Sequence, residues 1–357
     1  MIIKKFNSKF ADNQEYSNIH LKNQSNMEVI LSSLGAGIKS IKVPDYKNQL
    51  QEVTLCPVDE DLYPKIYHGK TVGRTAGRIK GATFTIDGRT ANLEKNNFNE
   101  DNLHGGKAGF NSKLFTCQIK ETKDFTDVIF SYFSKDLEGG YFGNVNVDVT
   151  YRIFENENVI KVMFDATSDC KTLLNLTNHA YFNMSGNLFD SVHKQVLYLN
   201  ASKYGVLNQR LIIEKIEDVT KEMDFRTPHL IGDYILSKPL QTYTNGYDHP
   251  FFLDSEGMDK VQAYLYSPSS RIKMEVRTTY PCIVVYSNGQ VFGPYIRNGI
   301  DYSKMSACCL ECQFHPDGIH ALKERNGVFD QNHPYHEEIE YKFLLEEIYG
   351  WYEKIFF

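Results

Sequence analysis

The chain is built from short stretches of alternating polar and apolar residues separated by turn formers, with few long stretches at helical period. Alternation sends successive side chains to opposite faces of a strand, so such a chain must bury the apolar faces of sheets against one another. Strands are expected in VILSSLGAGIKSIKVP from Val29, DVIFSYFS from Asp127, VNVDVTYRIF from Val145 and VIKVMFDAT from Val159. Further strands are expected in VQAYLYS from Val261, IKMEVRTTY from Ile272 and CIVVYSN from Cys282. ATFTIDGRTANL, from Ala82 to Leu93, reads as a hairpin, because Asp87 and Gly88 supply the positive φ that a tight turn requires. Two charged segments are less determined: EKIEDVTKEMDF from Glu214 suits a short helix or a solvated loop, and HEEIEYKFLLEE a charged helix or an edge strand. Strands at this density predict an all-β fold, a large antiparallel β sandwich. Neither a linker, a composition step nor a repeat divides the sequence, so residues 1–357 are expected to form a single domain.

The 39 basic and 45 acidic residues give a net charge of -6 without a basic cluster able to track a phosphate backbone, which argues against nucleic acid as a partner. The first residues, MIIKKFNSKFADNQ, turn polar after three positions and do not form a secretory signal, and no apolar run is long enough for a membrane helix. A cytoplasmic protein that does not engage a membrane is expected. Cysteines at 56, 117, 170, 282, 308, 309 and 312 are odd in number and irregular in spacing, which favours reduced thiols. Cys309 and Cys312 form a CxxC, but strand alternation would send them to opposite faces, so a metal or redox role is disfavoured.

Three segments carry candidate chemistry. In LLNLTNHAYFNMSG, read as one strand from Leu173, the residues Asn175, Thr177, His179, Tyr181 and Asn183 share a face, opposite Leu174, Leu176, Ala180 and Phe182. A polar row backed by hydrocarbon suits a hydroxyl-rich ligand, although a lone histidine is more often a satisfied surface residue. LHGG places His104 in a glycine-lined turn where a ligand can approach closely. In CLECQFHPDG, alternation directs Glu311 and Gln313 away from the hydrocarbon face formed by Cys308, Leu310, Cys312 and Phe314. Other motifs have simpler readings. Gly35 and Gly37 suggest a bulge or turn rather than a dinucleotide loop, since no amphipathic helix follows. His315 and His320 suggest a turn with exposed imidazoles. The sequons at Asn175 and Asn183 lie inside the polar segment and are not read as glycan sites. Asp248 alone reads as a turn carboxylate, and Arg78 as a surface or ion-pair arginine.

Taken in order, GRTAGRI from Gly73, the FTIDG hairpin, NLHGGKAGF from Asn102, LTNHAYFN from Leu176, GYDHPF from Gly246 and LECQFHPDG from Leu310 resemble the aldose 1-epimerases, also called galactose mutarotases. The resemblance runs from about Leu31 to Phe343. It implies a β sandwich of the galactose mutarotase type with a sugar cleft across one sheet. By position it implies that Glu311 is the general base and His179 the general acid, that Arg78, His104 and Asp248 bind sugar, and that Tyr181 lines the site. The sequence departs from the family pattern at Gly77, often Asn; at Cys312, where ETQ has Thr; at Phe115, a common Trp; and at Val284, where some members present Gln. The implied reaction interconverts the α and β anomers of free hexoses such as galactose or glucose. One group removes the C1 hydroxyl proton while another protonates the ring oxygen, so no metal or organic cofactor is required. Carboxylic acids titrate near ~4.3 and imidazole near ~6.5, so an ionised base and a protonated acid would coexist at mildly acidic to neutral pH. The expected partner is a monosaccharide, and the expected state a monomer or homodimer. Two rivals are a glycoside hydrolase using Glu311 and Asp248 as its carboxylate pair, and a noncatalytic sugar-binding protein of the same fold.

Overall fold

A computed structural model describes residues 1–10, 14–56, 62–287, 305–323 and 326–346, with the backbone alone at 296–297 and 300–301. Three antiparallel sheets dominate. The largest has nine strands in the spatial order Thr116–Glu121, Phe125–Ser134, Val145–Phe154, Val159–Ser168, Tyr335–Leu345, Ile272–Thr278, Ala263–Tyr266, Val196–Leu199, His229–Leu230. Its members include most of the strands read from alternation, because a sheet with one buried face fixes polarity at every second residue. In Val145–Phe154, Val145, Val147, Val149, Tyr151 and Ile153 are all buried, while Asn146 and Asp148 are exposed. The hairpin forms as expected, Thr83–Ile86 against Arg89–Asn92, with φ of 49° at Asp87 and 77° at Gly88.

The second sheet holds six strands in the order Tyr181–Phe182, Cys308–Gln313, Cys282–Tyr286, Asp248–Phe252, Lys203–Leu207, Ile213–Asp218. A five-stranded meander, Ile2–Lys9 through Leu50–Glu52, completes the larger sheets. Side chains from all three enter one hydrophobic cluster, among them Ile19, Val43, Val149, Phe164, Ile283, Leu310 and Phe343. The segment around Gly35 and Gly37 turns between Glu28–Ser32 and Gly37–Pro44, with a register shift at Ile30 and Leu31, as the bulge reading predicts.

Four local expectations are corrected. The segment from Leu173 is not one strand: Thr172–Leu173 pairs with Val328–Phe329, Thr177–Asn178 with Thr71–Val72, and Tyr181–Phe182 with Cys308–Cys309. The acidic C-terminal segment is a strand, Tyr335–Leu345, but it lies in the middle of the nine-stranded sheet, where Lys161–Glu338 at 3.1 Å and Arg277–Glu340 at 3.5 Å neutralise its charges across strands. The charged segment from Glu214 divides: EKIED belongs to the edge strand Ile213–Asp218, not to a helix, while the remainder to Phe225 forms turns and loop. His315 is buried, its ring 4.9 Å from that of Phe252, while His320 is the partly exposed imidazole, paired with Asp317 at 2.6 Å.

Candidate active site

The six-stranded sheet presents one face to a cleft of about 610 Å³, and every strand of that sheet contributes to its lining. Tyr181, Glu311, Val284, Asp248, Leu207 and Ile213 stand on successive strands. The far end, with Leu207, Leu211 and Ile212, is apolar; the near end collects the titratable groups.

Glu311 sits mid-way along Cys308–Gln313, opposite Val284. Alternation buries Cys308, Leu310 and Cys312 in the hydrophobic cluster and turns Glu311 and Gln313 into the cleft. His179 is fixed through its backbone: its N–H donates to the Lys70 carbonyl at 2.9 Å, and its carbonyl accepts from Gly69 at 2.8 Å. Its ring stacks on Tyr181 at 5.0 Å and 10°, and Tyr181 stacks in turn on His68 at 3.8 Å and 3°. The outcome is a distance of 3.5 Å between His179 Nε2 and Glu311 Oε1. Glu311 Oε2 and His179 Nδ1 are buried without a hydrogen-bond partner among the described residues.

His104 reaches the same place by a different route. Arg78–Ile79 pairs with Asn102–Leu103, and beyond that ladder the chain turns through three left-handed residues, His104, Gly105 and Gly106. Gly105 is required, because a Cβ there would lie 2.3 Å from the Gly73 carbonyl oxygen. The Gly77 N–H donates to His104 Nδ1 at 3.2 Å. A neutral His104 therefore carries its proton on Nε2. The same ladder carries Arg78, whose Nη2 meets Asp248 Oδ2 at 3.3 Å, while its buried Nε has no partner among the described residues.

Burial dominates the electrostatics. It pushes the Glu311 carboxyl up to about 8, reinforced by Asp248 and opposed by Arg78. It pushes His179 down to about 4 against the pull of Asp248, and holds His104 and His68 well below the usual imidazole range. The pair expected as carboxylate and imidazolium at neutral pH thus rests as a neutral carboxyl beside a neutral imidazole, since desolvation penalises either charge.

All six residues singled out in the sequence, Arg78, His104, His179, Tyr181, Asp248 and Glu311, line this one cleft. The rest of the polar row does not. Asn175 donates to the Ala76 and Phe314 carbonyls and accepts from the Phe314 N–H, and Asn183 donates to the Asp190 and Ser306 carbonyls, so both brace backbone. Sequence reading missed Tyr67 and His68, which sit in an irregular stretch between Tyr63–Lys65 and Thr71–Val72 where no periodicity marks a face. Among the described residues, the group able to offer several ligand atoms to a cation is His104, His179 and Glu311, with atoms within 4.8 Å of one another. Two imidazoles and a carboxylate are a donor set that zinc accepts, but these are the atoms that proton transfer would use.

The profile of the aldose 1-epimerase family matches residues 17–342. An aldose 1-epimerase from Haemophilus influenzae is 34% identical over 338 residues, which cover 93% of this chain and 97% of that protein. Galactose mutarotase from Rattus norvegicus is 33% identical over 304 residues, or 83% of this chain and 84% of that protein. Among solved structures, an aldose epimerase homologue from C. elegans superposes with a TM-score of 0.82 at 25% identity, covering 93% of this chain and all of that one. Similar along most of its length to proteins of one kind, and folded as they are, the chain belongs to the aldose 1-epimerase family.

Proposed function

We propose that this isomerase interconverts the α and β anomers of free hexoses such as galactose or glucose, with Glu311 as base and His179 as acid. The observation that supports the assignment is the 3.5 Å approach of the two groups inside the cleft, each with a further polar atom unengaged by any described residue. Moving one proton from Glu311 to His179 creates the carboxylate and imidazolium without any change in proton count. The carboxylate then takes the C1 hydroxyl proton as the imidazolium protonates the ring oxygen, and the hemiacetal opens to an aldehyde. Rotation about C1–C2 and reclosure with the roles reversed yields the other anomer. Asp248 accepts from hydroxyl groups while the Arg78 guanidinium and His104 donate to them, and Tyr181 holds the His179 ring plane. Nothing favours the hydrolase reading: the group facing Glu311 is an imidazole, and Asp248 is engaged by Arg78.

The test is polarimetry on fresh α-D-glucose and α-D-galactose with chelator present. Faster equilibration to an unchanged final rotation supports the reading; activity lost to EDTA and restored by zinc would replace it with metal chemistry at His104, His179 and Glu311. Lining residues drawn from Leu62 to Asp317 suit residues 1–357 acting as one domain, in a monomer or homodimer. A cytoplasmic setting, where free sugars are metabolised, fits seven cysteines with no disulfide among the described residues. Among the described residues no helix is long and apolar enough to cross a membrane.

A further inference from the structure

Among the described residues, three side-chain amides line the cleft, those of Asn96, Asn97 and Gln313. Asn96 is spent on both the N–H and the carbonyl of Leu103, and Asn97 donates to the Arg210 carbonyl. Gln313 is different: it is fully buried, yet among the described residues neither its Nε2 nor its Oε1 has a hydrogen-bond partner. Buried amides are almost always satisfied, so one left open at both ends beside a cleft points to a ligand that donates and accepts at once, as a hydroxyl does.

Its neighbours explain why the amide is open. Gly77 adopts a φ of +72°, and a Cβ there would stand 3.4 Å from Gln313 Oε1 and 3.2 Å from the Pro316 Cβ. A side chain at position 77 would fill the space in front of the amide. Val284, across the sheet from Glu311, offers only hydrocarbon.

We propose that Gln313 reads the C2 hydroxyl of the sugar, and that Gly77 leaves the amide free to do so. This inference rests on the roles assigned to Glu311 and His179 above. With C1 held at Glu311, the ring atoms next to it are the ring oxygen and C2. The ring oxygen is claimed by His179, and the unengaged group beside Glu311 on the same strand face is Gln313, two residues on. The bases of the two side chains lie about 6.6 Å apart along the strand, within converging reach of adjacent sugar hydroxyls. The C2 hydroxyl donates to Oε1 and accepts from Nε2. Gln313 is thus a specificity-determining residue.

The experiment compares kcat/KM by polarimetry for D-glucose and D-galactose against their 2-deoxy forms, with 6-deoxy-D-glucose as a positional control. The wild type should favour each parent sugar over its 2-deoxy form by roughly tenfold or more, the direction seen when a site loses the hydroxyl it was built to bond. In Gln313→Leu that ratio should fall to within about threefold through loss on the parent sugar, with the 6-deoxy ratio unmoved. Gly77→Asn, a residue that tolerates positive φ, should narrow the 2-deoxy ratio as well by occupying the amide, and it carries the test if Gln313→Leu fails to fold. A wild type inactive on every sugar would overturn the proposed function and this inference with it. An active wild type without 2-deoxy discrimination, or one whose ratio survives in the folded variant, overturns the inference alone, as does a collapse confined to the 6-deoxy sugar.

Discussion

Arg78 meets Asp248 at 3.3 Å and His179 meets Glu311 at 3.5 Å, so one cleft holds two pairs of a nitrogen base and a carboxyl group at nearly equal spacing. Their chemistry diverges because a guanidinium does not give up its proton under any condition a protein survives, whereas imidazole and carboxyl can exchange one. The Arg78–Asp248 pair is also wetter, with side chains 17% and 14% exposed against 6% and 5% for the other. Water stabilises a fixed ion pair; its absence pushes Glu311 up to about 8 and His179 down to about 4. A static pair positions a ligand and a labile pair moves its protons, and the burial around each decides which it becomes.

The widest gap should appear when the labile pair is cut. Glu311→Gln preserves size while removing the base, and should cost ~10²–10⁴ in rate, about 3–5.5 kcal/mol of transition-state stabilisation, with sugar binding less affected. His179→Ala should fall in the same range. A Glu311→Gln protein shown to be folded by circular dichroism and within twofold of wild type would end the base assignment and turn attention to Asp248. The static pair should matter less: Arg78→Ala and Asp248→Ala should each lower kcat/KM by roughly 10–10²-fold through weakened binding and a misaligned ring. Unchanged binding and turnover in both would place the pair outside the site.

The pH profile sharpens the contrast further. Between about 4 and about 8 the labile pair holds a single proton, so the rate should be nearly flat from pH 5 to 7. Below about 4 His179 gains a second proton and no base remains; above about 8 Glu311 loses the last and no acid remains. The acid limb then belongs to the imidazole and the alkaline limb to the carboxyl, the reverse of their ordinary order. Rates measured across pH 3.5–9 should lose the alkaline limb in Glu311→Gln; a limb that persists there would assign it to another group. The smallest effect is expected far from the cleft. Arg152 grips Asp127 at 2.8 and 2.9 Å on the nine-stranded sheet. Asp127→Asn should leave the rate unchanged and shift unfolding free energy by less than about 1 kcal/mol in a urea titration.

How far the sequence could be read follows from how each segment finds its partners. VNVDVTYRIF is a strand over its whole length because its neighbours, ending at Ser134 and beginning at Val159, are adjacent in sequence and one face is buried throughout. The orientation of Glu311 was legible for the same reason: five consecutive residues, Cys309 to Gln313, pair regularly with Cys282–Tyr286. The polar row from Asn175 was misread as continuous, since its three short ladders depend on segments near 71, 308 and 328 that no local pattern announces. His179 and Tyr181 nonetheless reached the cleft, while Asn175 and Asn183 turned to backbone. The ionisation of the pair was beyond composition and spacing, because it depends on how much water the folded walls exclude.

The strand that carries Glu311 also carries its own reporter. Cys308, Cys309 and Cys312 surround the glutamate and Cys282 faces the same strand, all four buried, with thiols held far above their ordinary range by desolvation. Only Cys117 and Cys170 are partly accessible. An alkylating reagent should therefore modify the native protein slowly at those two positions and spare the four, because the thiolate is the reactive form. Labelling at 308, 309 and 312 then becomes a clock for the opening of this one strand, and the chain can time the loosening of its own catalytic centre without an added probe.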